Sequence, residues 1–211
     1  ENYGADAVRL FMLSDSPPEK DVQWSEQGML ACYRFVQKLW TLHEKIKSIL
    51  NKSEKNFEKS EEISKFTNQL IDRININLER FNYNVIIASI YETYNFLNQK
   101  INAKINNDEL FENYKKILSV IYPIIPHYAS ECLEDLKIDR NVKWPIVDKK
   151  FLLSDNVNII IQVNGKKRSI INCKKGVSEQ SLRKIINNDE KINKFFNKRD
   201  NIKSIFIKDR L

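Results

Sequence analysis

The sequence is poor in the residues that build loops, disulfides and metal sites. Of 211 residues only four are glycine and five proline, which excludes a collagen-like or loop-dominated chain. Three cysteines, Cys32, Cys132 and Cys173, are odd in number and far apart, and no C-x-x-C pair occurs. The two histidines, His43 and His127, lie far from all three. That spacing argues against a zinc site or a disulfide framework and suits a reducing compartment. Apolar runs are short and interrupted by Lys, Glu and Asn, so no segment reads as a membrane span. There is no charged-then-apolar leader, and Glu1-Asn2-Tyr3-Gly4 reads as the middle of a longer protein. Glycine-rich phosphate loops and G-x-S-x-G elbows are absent too. The expectation is a chain with no catalytic residue and no cofactor of its own.

What is present is enough apolar sequence for a core, 42%, and enough charge for a soluble surface, 30%. Net charge is +7, and its distribution is uneven. From Ser154 to Leu211 there are 14 Lys and Arg against 6 Asp and Glu; residues 1–153 carry 21 against 22. All the excess positive charge therefore sits in the last 58 residues. A polyanion met by one end of the molecule is the reading this favours, because neutralising phosphates dominates affinity for nucleic acid. A Lys-rich solvated surface would spread the charge more evenly.

Periodicity divides the chain in two. A short apolar helix over 5–13 is stopped at Ser16-Pro17-Pro18. Ser25 is placed to cap a long helix reaching Leu50, whose apolar positions Cys32, Phe35, Leu39, Leu42 and Ile46 repeat at the 3/4 spacing of one buried stripe. Arg34, Lys38, Thr41 and Lys45 recur at 4, 3, 4 as a second stripe, either a row of phosphate contacts or a solvated face, the latter favoured for the stripe alone. A polar loop over 51–60 precedes amphipathic helices over 61–80 and 83–105. Asp108 is expected to cap the next one, which Pro123 and Pro126 break before a last short helix over 127–136. His127, at that helix start, is assigned a capping or packing role. His43 shows no acidic partner at a telling spacing. Trp24, Trp40 and Trp144 coincide with apolar stripes or chain corners and read as packing residues rather than stacking platforms.

After Trp144-Pro145 the pattern changes. The β-branched run 158–163, the dipeptide Asn164-Gly165 and the alternating 166–173 spell a hairpin with a type I′ turn. A helix from Ser178, another from Asp189 and a third strand over 201–208 should complete a small α+β module. The fold class expected is mainly α: a helical bundle followed by a small α+β domain, with boundaries 1–24 (a connecting segment), 25–153 and 154–211.

Several motifs then recur in one order. Tyr3-Gly4-Ala5-Asp6-Ala7-Val8-Arg9-Leu10 resembles the segment after the KMSKS loop of class Ia aminoacyl-tRNA synthetases. Pro17-Pro18-Glu19-Lys20-Asp21-Val22-Gln23-Trp24, with Gly28 and Tyr33 to Trp40, is similar to the leucyl branch. Phe81 to Ala88, Tyr122 to Glu131, Trp144 to Asp148 and Ile161 to Arg168 resemble further stretches of the bacterial-type leucyl enzymes, across nearly the whole chain. The resemblance implies an anticodon-binding-type bundle leaning on the tRNA stem and a C-terminal domain reaching the tRNA corner. Its implied partners are tRNA-Leu and an upstream catalytic domain of the same chain, in a monomeric, cytoplasmic, membrane-free enzyme. Leucine, ATP and Mg2+ would bind outside these residues. Candidate phosphate contacts are Lys166, Lys167, Arg168, Lys174 and Lys175 on the hairpin, then Arg183, Lys184 and Lys198, with Arg34, Lys38 and Lys45 on the bundle. A stand-alone helical RNA-binding or assembly protein is the alternative. Two departures stand out: Asp209-Arg210-Leu211 replaces a more usual Pro-Gly stretch, and no further apolar strand follows it.

Overall fold

A computed structural model describes residues 3–14, 23–52, 57–102, 105–139, 143–152, 156–187 and 205–207. The Pro17-Pro18 break, the helix expected from Asp189 and Lys198 fall outside them. The chain forms two compact units, Glu1–Leu152 and Leu153–Leu211.

Among the described residues the first unit is a bundle of six helices: α1 (Ala5–Ser14), α2 (Glu26–Leu50), α3 (Glu62–Glu79), α4 (Tyr83–Lys100), α5 (Asn107–Ile121) and α6 (Pro126–Asp135). Ser25 caps α2, its Oγ accepting the Gly28 N–H at 3.1 Å, and the apolar stripe of that helix is buried from Met29 to Ile46. Ring stacks close two seams: Phe35 on Tyr91 joins α2 to α4, and Phe66 on Phe96 joins α3 to α4. Helix α5 packs on α3 and α6. Its cap is Asn106 rather than the expected Asp108. The Asn106 side-chain oxygen accepts the Glu109 N–H at 2.9 Å, which leaves Asp108 in the first helical turn. After α6, residues 143–148 form no helix or strand and run along α3. Trp144 Nε1 donates to Asn75 Oδ1, and the Asp148 N–H donates to Asn68 Oδ1, both on α3. Asp148 then caps a 3-10 turn at Lys149–Phe151.

Helix α1 is locked to the corner between α5 and α6. Pro123 and Pro126 interrupt the helical hydrogen bonds there, as expected, and leave backbone groups in need of partners. Arg9 donates from Nε to the Ile124 carbonyl at 2.8 Å and from Nη2 to that of Pro123 at 2.6 Å. Asp6 accepts the N–H groups of His127 and Tyr128 at 3.3 and 2.6 Å. The residue before Pro126 makes no side-chain cap, so the carboxylate that caps α6 comes from α1.

The second unit contains a β-hairpin, β1 (Asn156–Val163) and β2 (Lys166–Lys174), and helix α7 (Glu179–Asn187). Asn164 and Gly165 both have positive φ, 52° and 74°, as a type I′ turn requires. Among the described residues, Ile159, Ile161, Ile171, Cys173 and Leu182 are buried hydrophobics, with Val157, Val177, Ile186 and Phe206 packed against them. Of the expected third strand, residues 205–207 are described, and they carry no strand assignment. The sheet among the described residues has two strands. No helix among the described residues is long and apolar enough to cross a membrane.

Candidate RNA interface

The hairpin tip carries three consecutive cations, and its register decides where they go. Ile159 pairs with Ile171 and Ile161 with Ser169 on the buried face. Strict alternation from Cys173, Ile171 and Ser169 would bring Lys167 to that same apolar face. A bulge prevents this. Gln162 pairs with Lys167 instead of Arg168, so Arg168 is the extra residue of the bulge, and Lys167 lies opposite an exposed glutamine. Lys166, Lys167, Arg168 and Lys175 are all exposed, and Lys174 is the last residue of β2. One sequence signal could have revealed the bulge: unbroken alternation buries a lysine, which is costly without a partner.

The weaker candidates separate. Lys184 is exposed on α7. Arg183 is exposed too, but its Nε and Nη2 both donate to Glu179 one turn earlier, at 3.1 and 2.9 Å. A phosphate at Arg183 would compete with that carboxylate.

Arg34, Lys38 and Lys45 are exposed along one ridge of α2 in the first unit. Beside it opens a cleft of about 580 Å3 between the start of α1, α2 and α6. Tyr3, Tyr33 and Trp40 form aromatic walls, and Asp6, Gln37, Thr41, His127 and Glu131 are among the polar residues that line it. Tyr3 meets Tyr33 edge to face at 5.8 Å between centroids. The sequence did not mark this cleft, because three separate segments build it.

The tryptophans pack on the bundle from its surface and not from within its core. Trp24, Trp40 and Trp144 are 63%, 37% and 42% exposed, each resting one part on the bundle. Trp24 leans edge-on against Phe11, and Trp40 lies over His43.

His43 has the acidic partner that local spacing did not show. It is fully buried, with Nδ1 3.1 Å from the Tyr114 hydroxyl and Nε2 3.0 Å from Asp135 Oδ2. The Lys47 ammonium sits 2.6 Å from both Asp135 oxygens. Hydrogen bonds from Lys47 and then His43 hold the Asp135 carboxyl below the usual carboxylate range, and the Asp135 bond pushes Lys47 up. His43, Glu44 and Asp135 bring ligand atoms within 4.8 Å of one another, but Lys47 already fills the cation position at Asp135. The Tyr114 hydroxyl lies 3.2 Å from that of Tyr128, which donates to the Leu39 carbonyl. Burial pushes both phenols and the adjacent Cys132 thiol up, the thiol to about 12. The network runs from the partly exposed Lys47–Asp135 pair through the buried His43 to Tyr114 and Tyr128. His127 is mostly exposed, its Nδ1 3.1 Å from Asp6 Oδ1.

Residues 60–185, from the bundle into α7 of the second unit, match the family model "Anticodon-binding domain of tRNA ligase". The chain belongs to that family. Its similarity is to the leucine enzymes in particular: it is 33% identical to the leucine-tRNA ligase of Thermosipho melanesiensis over 100% of this chain and 27% of that protein. The leucine-tRNA ligase of Rhizorhabdus wittichii is 33% identical over 100% of this chain and 24% of its own length. The chain thus spans about a quarter of the curated relatives it matches. Among solved structures, the ternary complex of Agrobacterium radiobacter K84 agnB2 LeuRS with tRNA and LeuAMS aligns at a TM-score of 0.69 and 19% identity. That alignment covers 99% of this chain and 28% of that one, a likeness of fold.

Proposed function

We propose that this chain is the tRNA-docking part of a leucine-tRNA ligase and performs no chemistry itself. Its basic hairpin grips the phosphates of tRNA-Leu, and the bundle sets that grip against the tRNA stem. The observation that carries the reading is the charge: every excess cation lies in the last 58 residues, and a bulge keeps the hairpin lysines off the apolar face. RNA helices are recognised largely through shape, phosphates and 2′-OH groups, for which an exposed basic tip is suited. Leucine, ATP and Mg2+ would be held by the catalytic domain of the same monomeric enzyme, in the cytoplasm. Lys166, Lys167, Arg168, Lys174 and Lys175 are the principal contacts, with Lys184, Arg183, Lys198, Arg34, Lys38 and Lys45 in support.

The test is a salt titration of binding to tRNA-Leu and to a tRNA without a long variable arm. Replacing Lys166, Lys167 and Arg168 by Ala should weaken binding and flatten the slope of log K against log salt by about 2. An unchanged slope removes the hairpin from the interface.

A further inference from the structure

The cleft beside α2 has no part in the phosphate grip, yet it adjoins the bundle's cationic ridge. Tyr33, Gln37 and Trp40 follow the 4, 3 spacing of one helix face. Arg34 and Lys38 each stand one residue on from a cleft residue, about a quarter turn round the helix, and Lys45 continues the same ridge. A strand of RNA whose phosphates lie along that ridge therefore has an aromatic-walled opening next to its bases. We propose that this cleft holds one unstacked nucleobase of the RNA, stacked against Trp40 and Tyr33.

Size, chemistry and rigidity agree with that ligand. At about 580 Å3 the opening admits a nucleotide with room for water. Every base has a π-face, so aromatic walls accept it whatever its identity. The edge groups of a base can meet the Gln37 amide, the Thr41 hydroxyl and the Glu131 carboxylate. Thr41 donates its own proton to the Gln37 carbonyl at 3.0 Å, which leaves its oxygen as an acceptor. Two carboxylates, Asp6 and Glu131, also line the opening; Asp6 already accepts the His127 and Tyr128 N–H groups, and the phosphates are assigned to the ridge of α2 and not to the cleft. The walls are held from behind: Trp40 rests on the buried His43 at 5.2 Å, and Tyr33 is braced edge-on by Tyr3. A pre-ordered platform loses little entropy on binding.

The proposal rests on the RNA-binding reading, and the test separates the two. A chain with Trp24→Phe and Trp144→Phe keeps Trp40 as its one indole, and tRNA-Leu is titrated into it while tryptophan emission is recorded. Stacking should quench emission saturably, in step with binding followed by filter retention. A control with Trp40→Phe and Trp144→Phe, which reports on Trp24 alone, should show no such change. Trp40→Leu should weaken binding about 5- to 100-fold, with Trp40→Phe close to wild type. Retained tRNA binding with unquenched Trp40 emission overturns the cleft assignment and leaves the hairpin reading standing. Equal affinities for the Leu and Phe variants overturn it too, as expected if another protein surface covers the cleft. No binding of tRNA by the unaltered chain overturns both readings.

Discussion

The Asp6 carboxylate accepts the backbone N–H of Tyr128 at 2.6 Å across 122 residues of chain, so the first helix of the bundle caps its last. Arg9, one turn further on, satisfies two carbonyls of the same corner. Both charges of α1 are thus spent on the proline-broken turn between α5 and α6, where no local side chain caps the new helix.

Asp6→Ala should therefore destabilise the bundle by about 1 kcal/mol or more, the usual cost of a lost N-cap, because the orphaned N–H of Tyr128 is also buried. Asp6→Asn keeps an acceptor oxygen and should lose less. Urea unfolding followed by circular dichroism measures both, and equal midpoints for wild type and Asp6→Ala would show the cap to be dispensable.

The Asp135 cluster makes a prediction about acid. Its carboxyl is held below its ordinary value by Lys47 and His43, so the folded state binds its proton more weakly than the unfolded chain. The resulting stability is complete above the unfolded value, about pH 4, and is lost as pH falls through the folded one. Asp135→Asn should remove that component: the stability difference from wild type should shrink as pH drops below about 4. A difference that stays constant across the acid limb would place the effect in packing instead. Lys47 has the opposite sign. Raised in the fold, it adds stability that is present at neutral pH and lost as pH climbs through its folded value.

Local signals in the sequence were reliable where one segment decides the outcome. Ser25 caps α2, Pro126 opens α6, and Asn164-Gly165 turns the hairpin, because each acts on its own neighbours. Asn106 in place of Asp108 is a slip of two residues between residue types with almost equal capping strength. The long-range partnerships were not legible: Asp6 with α6, His43 with Asp135, and the cleft built by Tyr3, Trp40 and Glu131. No spacing rule links residues 90 or more positions apart. Lys167 is the intermediate case, since its parity with Ile171 and Cys173 signals that the strand must break register somewhere.

Gly28 tests the packing of α1 on α2. In an exposed helix, Gly→Ala gains close to 1 kcal/mol. Here a Cβ would stand 2.7 Å from Cε2 of the buried Phe11 ring, which is also braced by Trp24. Gly28→Ala should instead destabilise by about 1–3 kcal/mol, the cost of overpacking. Phe11→Leu added to it should recover part of the loss, a coupling that a double-mutant cycle reads directly. Additive effects would mean that the ring moves aside without cost.

The three thiols report on how unequally the two units are stabilised. Cys32 and Cys132 are buried in the large core of the bundle, and burial raises both, Cys132 to about 12. Thiolate is the reactive form, so neither should react with a disulfide reagent at pH 8 until the bundle unfolds. Cys173 is also buried, and among the described residues its cluster has five buried hydrophobic residues behind a two-stranded sheet, an arrangement that is marginal alone. Local opening there should be far cheaper than global unfolding. One thiol should therefore be labelled in native buffer at a slow, opening-limited rate, and peptide mapping should find the label on Cys173. All three should react in denaturant. Labelling Cys132 before Cys173 would reverse the proposed order of stability, and with it the view that the basic hairpin stands on the softer of the two cores.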